Sequence, residues 1–200
     1  MRVLVACEFS GRVRDAFARR GHDAWSCDLL PSETPGQHMQ CDAIQAIHFF
    51  QWDMVIAFPP CTHLAVSGAR WFKDKADQQP AAIQFFLDCA ASPAPHVAIE
   101  NPIGIMSRLY RKPDQIIQPW QFGHPETKAT CLWLKGLQPL VPTHTDKPDL
   151  FAEQAPAERM GRVWREPPGP DRWKNRSRTF EGIAEAMADQ WGAILTAEAA

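Results

Sequence analysis

Two stretches carry the residues best suited to covalent chemistry, "DMVIAFPPCTHL" (53–64) and "PHVAIENP" (95–102). In the first, Cys61 follows an apolar run and two prolines; in the second, Glu100 ends an apolar run and precedes Asn101 and Pro102. A cysteine thiolate attacks soft carbon centres. A carboxyl beside it can hold or deliver a proton in the same event. Pro59 and Pro60 each fix φ, so the backbone leading to the sulfur is rigid. The competing reading of Cys61 is a core thiol, and that of Glu100 is an acid that caps a helix or pairs with a cation. His63, two residues past the thiol, suggests a Cys-His dyad, but neighbours so close in sequence seldom face each other productively, and a loop role is expected.

The elements that must position these groups follow from periodicity. "RVLVAC" (2–7) reads as a strand, and "RVRDAFARRG" (12–21) as a helix on which Val13, Ala16, Phe17 and Arg20 recur and Gly21 stops the pattern. "HDAWSCDLLP" (22–31) is a second strand with Asp28 near its end, which completes a βαβ unit and predicts a parallel sheet. Residues 41–51 form a short linking or helical piece, and "WDMVIAF" (52–58) is a buried strand. "QQPAAIQFFLDCAAS" (78–92) is a helix with Pro80 in its first turn. "PHVAIENP" and "ATCLWLKG" (129–136) are strands, and residues 179–199 close the chain as a helix with Ile183, Met187, Trp191, Ile194 and Leu195 on one side. The fold class is therefore α/β, a Rossmann-like doubly wound, mostly parallel sheet with ligands outside the carboxyl ends of the strands. The residues at those ends are Glu8 to Gly11, Asp28, Cys41, Asp42, Pro59 to Cys61 and Glu100 to Pro102.

Length and composition bound the reading. At 200 residues and 45% hydrophobic content, residues 1–200 are expected to form a single domain. A formal charge of −2 excludes a chain that coats nucleic acid by charge alone. The sequence contains no apolar run of the roughly 18 residues needed to span a bilayer, and "MRVLVACEFSG" is unlike a signal peptide, so a soluble, cytoplasmic protein is expected. Cys7, Cys27, Cys41, Cys61, Cys89 and Cys131 include no C-x-x-C pair, and His22, Cys27, Cys41 and His63 lack zinc-ligand spacing, so no metal is expected.

One segment departs in composition, the Pro/Arg/Trp-rich loop at 142–178. Within residues 159–178, Arg159, Arg162, Arg165, Arg172, Lys174, Arg176 and Arg178 outnumber Glu166 and Asp171, an excess that attracts a phosphate backbone. Trp164 and Trp173 add surfaces on which a base could stack. The alternative is a solvated, irregular loop.

The order "FPPC", "IENP", "QFGHPETKAT" resembles the DNA (cytosine-5) methyltransferases, whose Pro-Pro-Cys turn carries the nucleophile and is followed by Glu-Asn-Val and by a Tyr-Gly-x-Pro-Gln stretch leading to two alternating arginines. Phe122, Gly123 and Pro125 match; Glu126 stands in the glutamine place, Lys128 in the first arginine place and Thr130 in the second. The resemblance implies a class I S-adenosylmethionine-dependent fold, with S-adenosyl-L-methionine as cofactor and DNA as partner, its target base flipped out of the duplex. It implies catalytic roles for Cys61 and Glu100. It implies cofactor contacts from Phe9, Gly11, Asp28, Asp42 and Pro59, although Val13 replaces the second glycine of the usual Gly-x-Gly. Substrate contacts are implied for Pro60, Asn101, Lys128, Arg176 and Arg178. The final helix, from "RTFEGIAEAMA", is expected to pack near the first strand and complete the cofactor site. A separate target-recognition domain is missing, so the chain resembles a short, phage-like member in which residues 142–178 stand in that domain's place. The same chemistry on a free pyrimidine nucleotide, single-stranded DNA or RNA is one alternative. A catalytically inactive module that binds DNA or a partner is another, motivated by Val13, Lys128 and Thr130.

Overall fold

A computed structural model describes residues 1–66, 77–145, 163 and 166–198. Of the basic segment, Arg159, Arg162, Trp164 and Arg165 lie outside the described residues, as do the side chains of Ile194 and Leu195.

The chain runs β1 (Arg2–Ala6), α1 (Arg12–Arg19), β2 (Asp23–Asp28), β3 (His38–Gln40), α2 (Ala43–Phe49), β4 (Met54–Ala57), α3 (Gln79–Ala90), β5 (His96–Pro102), α4 (Met106–Leu109), β6 (Gln115–Ile117), a 3-10 turn at Pro119–Phe122, β7 (Thr130–Lys135), α5 (Arg172–Ser177) and α6 (Glu181–Glu198). The strands form one seven-stranded sheet in the order β3-β2-β1-β4-β5-β7-β6. Pairs from β3 through β5 are parallel, whereas β7 runs antiparallel to both β5 and β6. The sheet is thus Rossmann-like, doubly wound and mostly parallel, and its strand order reverses between β1 and β4, where a crevice opens beyond the strand ends.

Period two along each strand divides the core into two layers. Val3 and Val5 face α1 and α6, packing with Val13, Phe17, Met187 and Trp191. Leu4 and Ala6 face the opposite side, with Ile47 of α2 and Phe86 and Cys89 of α3. Because both faces are covered, β1 and β4 are continuous apolar runs rather than alternating ones.

Three local features refine or depart from the sequence reading, each for a physical reason. The second strand stops at Asp28, whose carboxylate accepts from the Leu30 amide and turns the chain out of the sheet. The linking piece at 41–51 is helical because Asp42 caps it, accepting from the Ile44 and Gln45 amides. The strands β3 and β6 have three residues each, too few to show a period.

Phe17 is fully buried between α1, the sheet and α6. Phe17→Ala is expected to lower unfolding free energy by about 3–5 kcal/mol, read from the urea midpoint at unchanged m.

Candidate active site

The strands β4 and β5 pair in parallel with Ala57 opposite Ile99, so their carboxyl ends are level. Glu100 is the next residue on β5, and Cys61 follows β4 after Phe58, Pro59 and Pro60. The two loops are fastened together beyond the sheet. Asn101, 1% exposed, donates its side-chain amide to the Pro59 carbonyl at 2.7 Å, which fixes the turn that aims the sulfur. The amides of Leu64 and Ala65 fold back onto the Cys61 carbonyl at 3.0 and 2.9 Å. Ala65 then bridges to Gly104, and the Ile105 amide donates to the Leu64 carbonyl. A Cβ on Gly104 would lie 2.2 Å from that carbonyl oxygen, so only glycine permits the approach. Gly104 was not singled out from sequence, because the contact it allows is with a loop forty residues away.

Burial pushes the Cys61 thiol up from its ordinary value, and the Glu100 charge pushes it further; the Lys128 and Arg176 cations oppose both. Burial likewise raises the Glu100 carboxyl, with the Lys128 ammonium and the Thr130 hydroxyl drawing it partly back. The net shift of Glu100 is toward the protonated form, the form able to donate a hydrogen bond. It lines a small recess of ≈ 20 Å³, room for about one water, with Lys128, Thr130, Ser177, Thr179 and Phe58. Ser177 and Thr179 had no role in the sequence reading. They reach this wall because α5 and the start of α6 fold back over it.

Across the crevice lies the loop after β1. Cys7 has φ 59, a left-handed conformation unusual for a residue other than glycine, and marks strain where the strand ends. Gly11 (φ 73) opens α1 without a side-chain cap of its own. Glu8 caps the helix instead, accepting from the Val13 amide at 2.7 Å and the Arg14 amide at 3.2 Å. A Cβ on Gly11 would stand 2.2 Å from Thr34 Oγ1 and 2.5 Å from Arg14. Arg14 itself is 1% exposed and donates to Ser26, Ser32, Thr34 and Pro35, tying the loop after β2 to α1. Sequence reasoning placed Glu8 at a strand end but missed its capping role, and missed Arg14 altogether, because their partners lie on other elements.

Asp28 and Asp42 occupy the same edge of the sheet, after β2 and at the start of α2. Burial raises the Asp28 carboxyl. Pro59 completes this edge at the end of β4. Phe9, however, does not present a bare ring to the crevice. Trp173 of α5 packs against it, ring centroids 5.9 Å apart, and the Arg178 guanidinium lies 5.9 Å from its centroid. Arg178 is held there by Glu33, to which it donates at 2.8 and 2.6 Å. A cavity of ≈ 270 Å³ adjoins this contact, lined by Arg12, Glu166, Asn175, Arg178 and Phe180.

The structure thus brings Cys61, Glu100, Asn101 and Lys128 to one wall, with Arg176 above them. It sets Phe9, Gly11, Asp28, Asp42 and Pro59 along the adjoining edge, and it turns Arg178 toward that edge. Pro60, the exposed second proline, stands between the two groups. The "FGHP" stretch docks the last helix: His124 Nε2 accepts from the Gly182 amide at 2.8 Å, and its ring packs on Phe180. Among the described residues no group of three or more His, Cys, Asp or Glu side chains is arranged to hold a metal ion. No helix among them is long and apolar enough to cross a membrane.

No protein-family model and no curated protein matches this chain. Among solved structures, a protein described as a candidate DNA modification methyltransferase encoded within a prophage (E. coli) superposes with a TM-score of 0.48 at 16% identity, over 73% of this chain and 52% of that one. The chain therefore spans about half the length of that protein.

Burial of Glu8 outweighs its hydrogen bonds and moves its carboxyl from 4.5 to about 7. Between those values the folded chain keeps a proton that the unfolded chain releases, so stability falls as pH rises from about 4.5 to about 7. The loss from this group alone is roughly 3 kcal/mol. Unfolding free energy measured across that range should decline, and Glu8→Gln should flatten the decline.

Proposed function

We propose that the chain transfers a methyl group from S-adenosylmethionine to carbon 5 of cytosine in DNA, through a covalent adduct on Cys61. The observation that carries this reading is the Asn101 to Pro59 hydrogen bond, which locks a thiol-bearing turn against the strand end that carries a half-buried glutamate whose carboxyl is shifted upward. Neither a core thiol nor a helix-capping acid requires that arrangement.

The adjoining edge suits the cofactor. Asp28 and Asp42 offer carboxylates for the ribose hydroxyls and the adenine amino group, and the buried Pro59 fixes the turn between them and the thiol. S-adenosylmethionine supplies, when bound, an electrophilic methyl on a sulfonium. The chain's own groups do the rest. The Cys61 thiolate forms a bond from Sγ to carbon 6 of the ring, while Glu100 gives its proton to ring nitrogen 3. Electron density moves to carbon 5, where the methyl is accepted. Loss of the carbon-5 proton to a base breaks the bond from Sγ to carbon 6, and the proton on nitrogen 3 returns to Glu100. A neutral Glu100 is suited to this step, because an ionised carboxylate would repel both the thiolate and the ring nitrogen's lone pair.

DNA is the substrate class favoured by α5, which carries Arg172, Lys174 and Arg176 with Trp173, 53% exposed, among them, and whose last residue, Ser177, lines the recess.

Purified protein with methyl-labelled S-adenosylmethionine and cytosine-containing duplex is expected to label the DNA. Cys61→Ser should reduce transfer by about 10³-fold or more and abolish trapping on 5-fluorocytosine DNA. Glu100→Gln should cost about 10²-fold. Transfer to dCMP, single strands or RNA in place of duplex would reassign the substrate, and no transfer to any of them would overturn the reading.

A further inference from the structure

The family resemblance gives the Lys128 position a role in handling the substrate base and its backbone, yet the side chain here is committed inward. Its Nζ reaches the Arg176 carbonyl at 3.4 Å, tying the approach to β7 to α5 across 48 residues. Its own amide donates to Gln118 at 2.9 Å, and its carbonyl accepts from the Thr130 hydroxyl at 3.0 Å. The residue thus lines the recess beside Glu100 with both its backbone and its ammonium anchored. A phosphate contact needs a cation free to swing outward, and this one is tethered beside Glu100 in the recess.

We propose that Lys128 is a positioning residue that serves as the counter-charge of the Cys61–Glu100 pair, held beside Glu100 by the Arg176 carbonyl.

The need for such a charge is physical. Cys61 and Glu100 are acids buried in one crevice, and each disfavours ionisation of the other. A thiolate must nevertheless form for attack. A single cation in place relieves the sulfur without an incoming ligand. The charged or titratable groups facing the pair are Lys128 from the approach to β7, Arg176 from α5, and Cys131 from β7, with His63 on the thiol's own loop. Lys128 lines the recess with Glu100, and its charge opposes the upward shift of both Glu100 and Cys61.

This role rests on the Cys61 reading above but can be tested without methyl transfer. The rate of alkylation of Cys61 by iodoacetamide, followed at its own peptide by mass spectrometry, should be measured against pH for the unaltered chain and for Lys128→Gln, Lys128→Met and Lys128→Arg. Either neutral variant should move the profile to higher pH, slowing alkylation at about pH 8 by about threefold or more, while Lys128→Arg keeps the original profile. An unshifted profile in a folded neutral variant would overturn the proposal. So would an equal shift in Lys128→Arg, which would point to packing rather than charge. DNA affinity that drops with a salt slope shallower by about one, at an unchanged thiol profile, would return Lys128 to phosphate contact. A shifted profile in a chain that methylates no substrate would leave the counter-charge standing and remove the methyltransferase reading instead.

Discussion

The candidate site depends on the level pairing of β4 with β5. Parallel register brings Ala57 opposite Ile99, so whatever follows those residues emerges at the same height from the sheet. A shift of one residue would turn every side chain on β5 to the other face, carrying Ile99 out of its core layer and Glu100 away from the recess that it shares with Lys128. The hydrogen bond from Asn101 to Pro59 works only in this register, and so does the approach of Gly104 to Leu64. The strand ends and the loop fastenings therefore fix one another. The sulfur is aimed by two prolines below it and an asparagine beside it, none of which has to move.

Much of this was legible in the residues. The strands carrying Cys61 and Glu100 announced themselves as short apolar runs, and a doubly wound sheet put both at carboxyl ends. Asp42 was readable as a crevice acid, although its capping of α2 was not anticipated from the pattern. What escaped were contacts between segments distant in sequence. Glu8 caps α1 from outside it, and Arg14 disappears beneath the loop after β2, although an arginine on a helix reads as solvent-facing. His124 looked like part of a motif and proves to hold the start of α6. Each of these polar groups is bought from water by partners that only the tertiary fold assembles.

Two electrostatic environments meet in the crevice. On the sheet's midline Glu8, Glu100 and Cys61 are all raised by burial, so this strip favours neutral, proton-bearing groups. Above it α5 and the residues after it carry Arg172, Lys174, Arg176 and Arg178. A fixed cationic layer over a proton-retaining floor draws an anion to the mouth while leaving the floor able to donate hydrogen bonds. That combination differs from a generally basic cleft, in which a buried carboxyl would ionise readily.

The short helix α5 joins the two halves of the crevice. Its Trp173 packs on Phe9 of the first loop, its Arg176 carbonyl holds Lys128 on the opposite wall, and Arg178 just beyond it is locked to Glu33. An element of six residues has little stability of its own, since a helix that short leaves most of its end groups unpaired. Its conformation must therefore come from these three attachments. They lie on separate segments, and the intact set requires both walls to be in place at once. Displacing Trp173 from the Phe9 ring would loosen the anchor that holds Lys128 beside Glu100, so α5 adds a second mechanical link between walls that the β1–β4–β5 pairing already joins below.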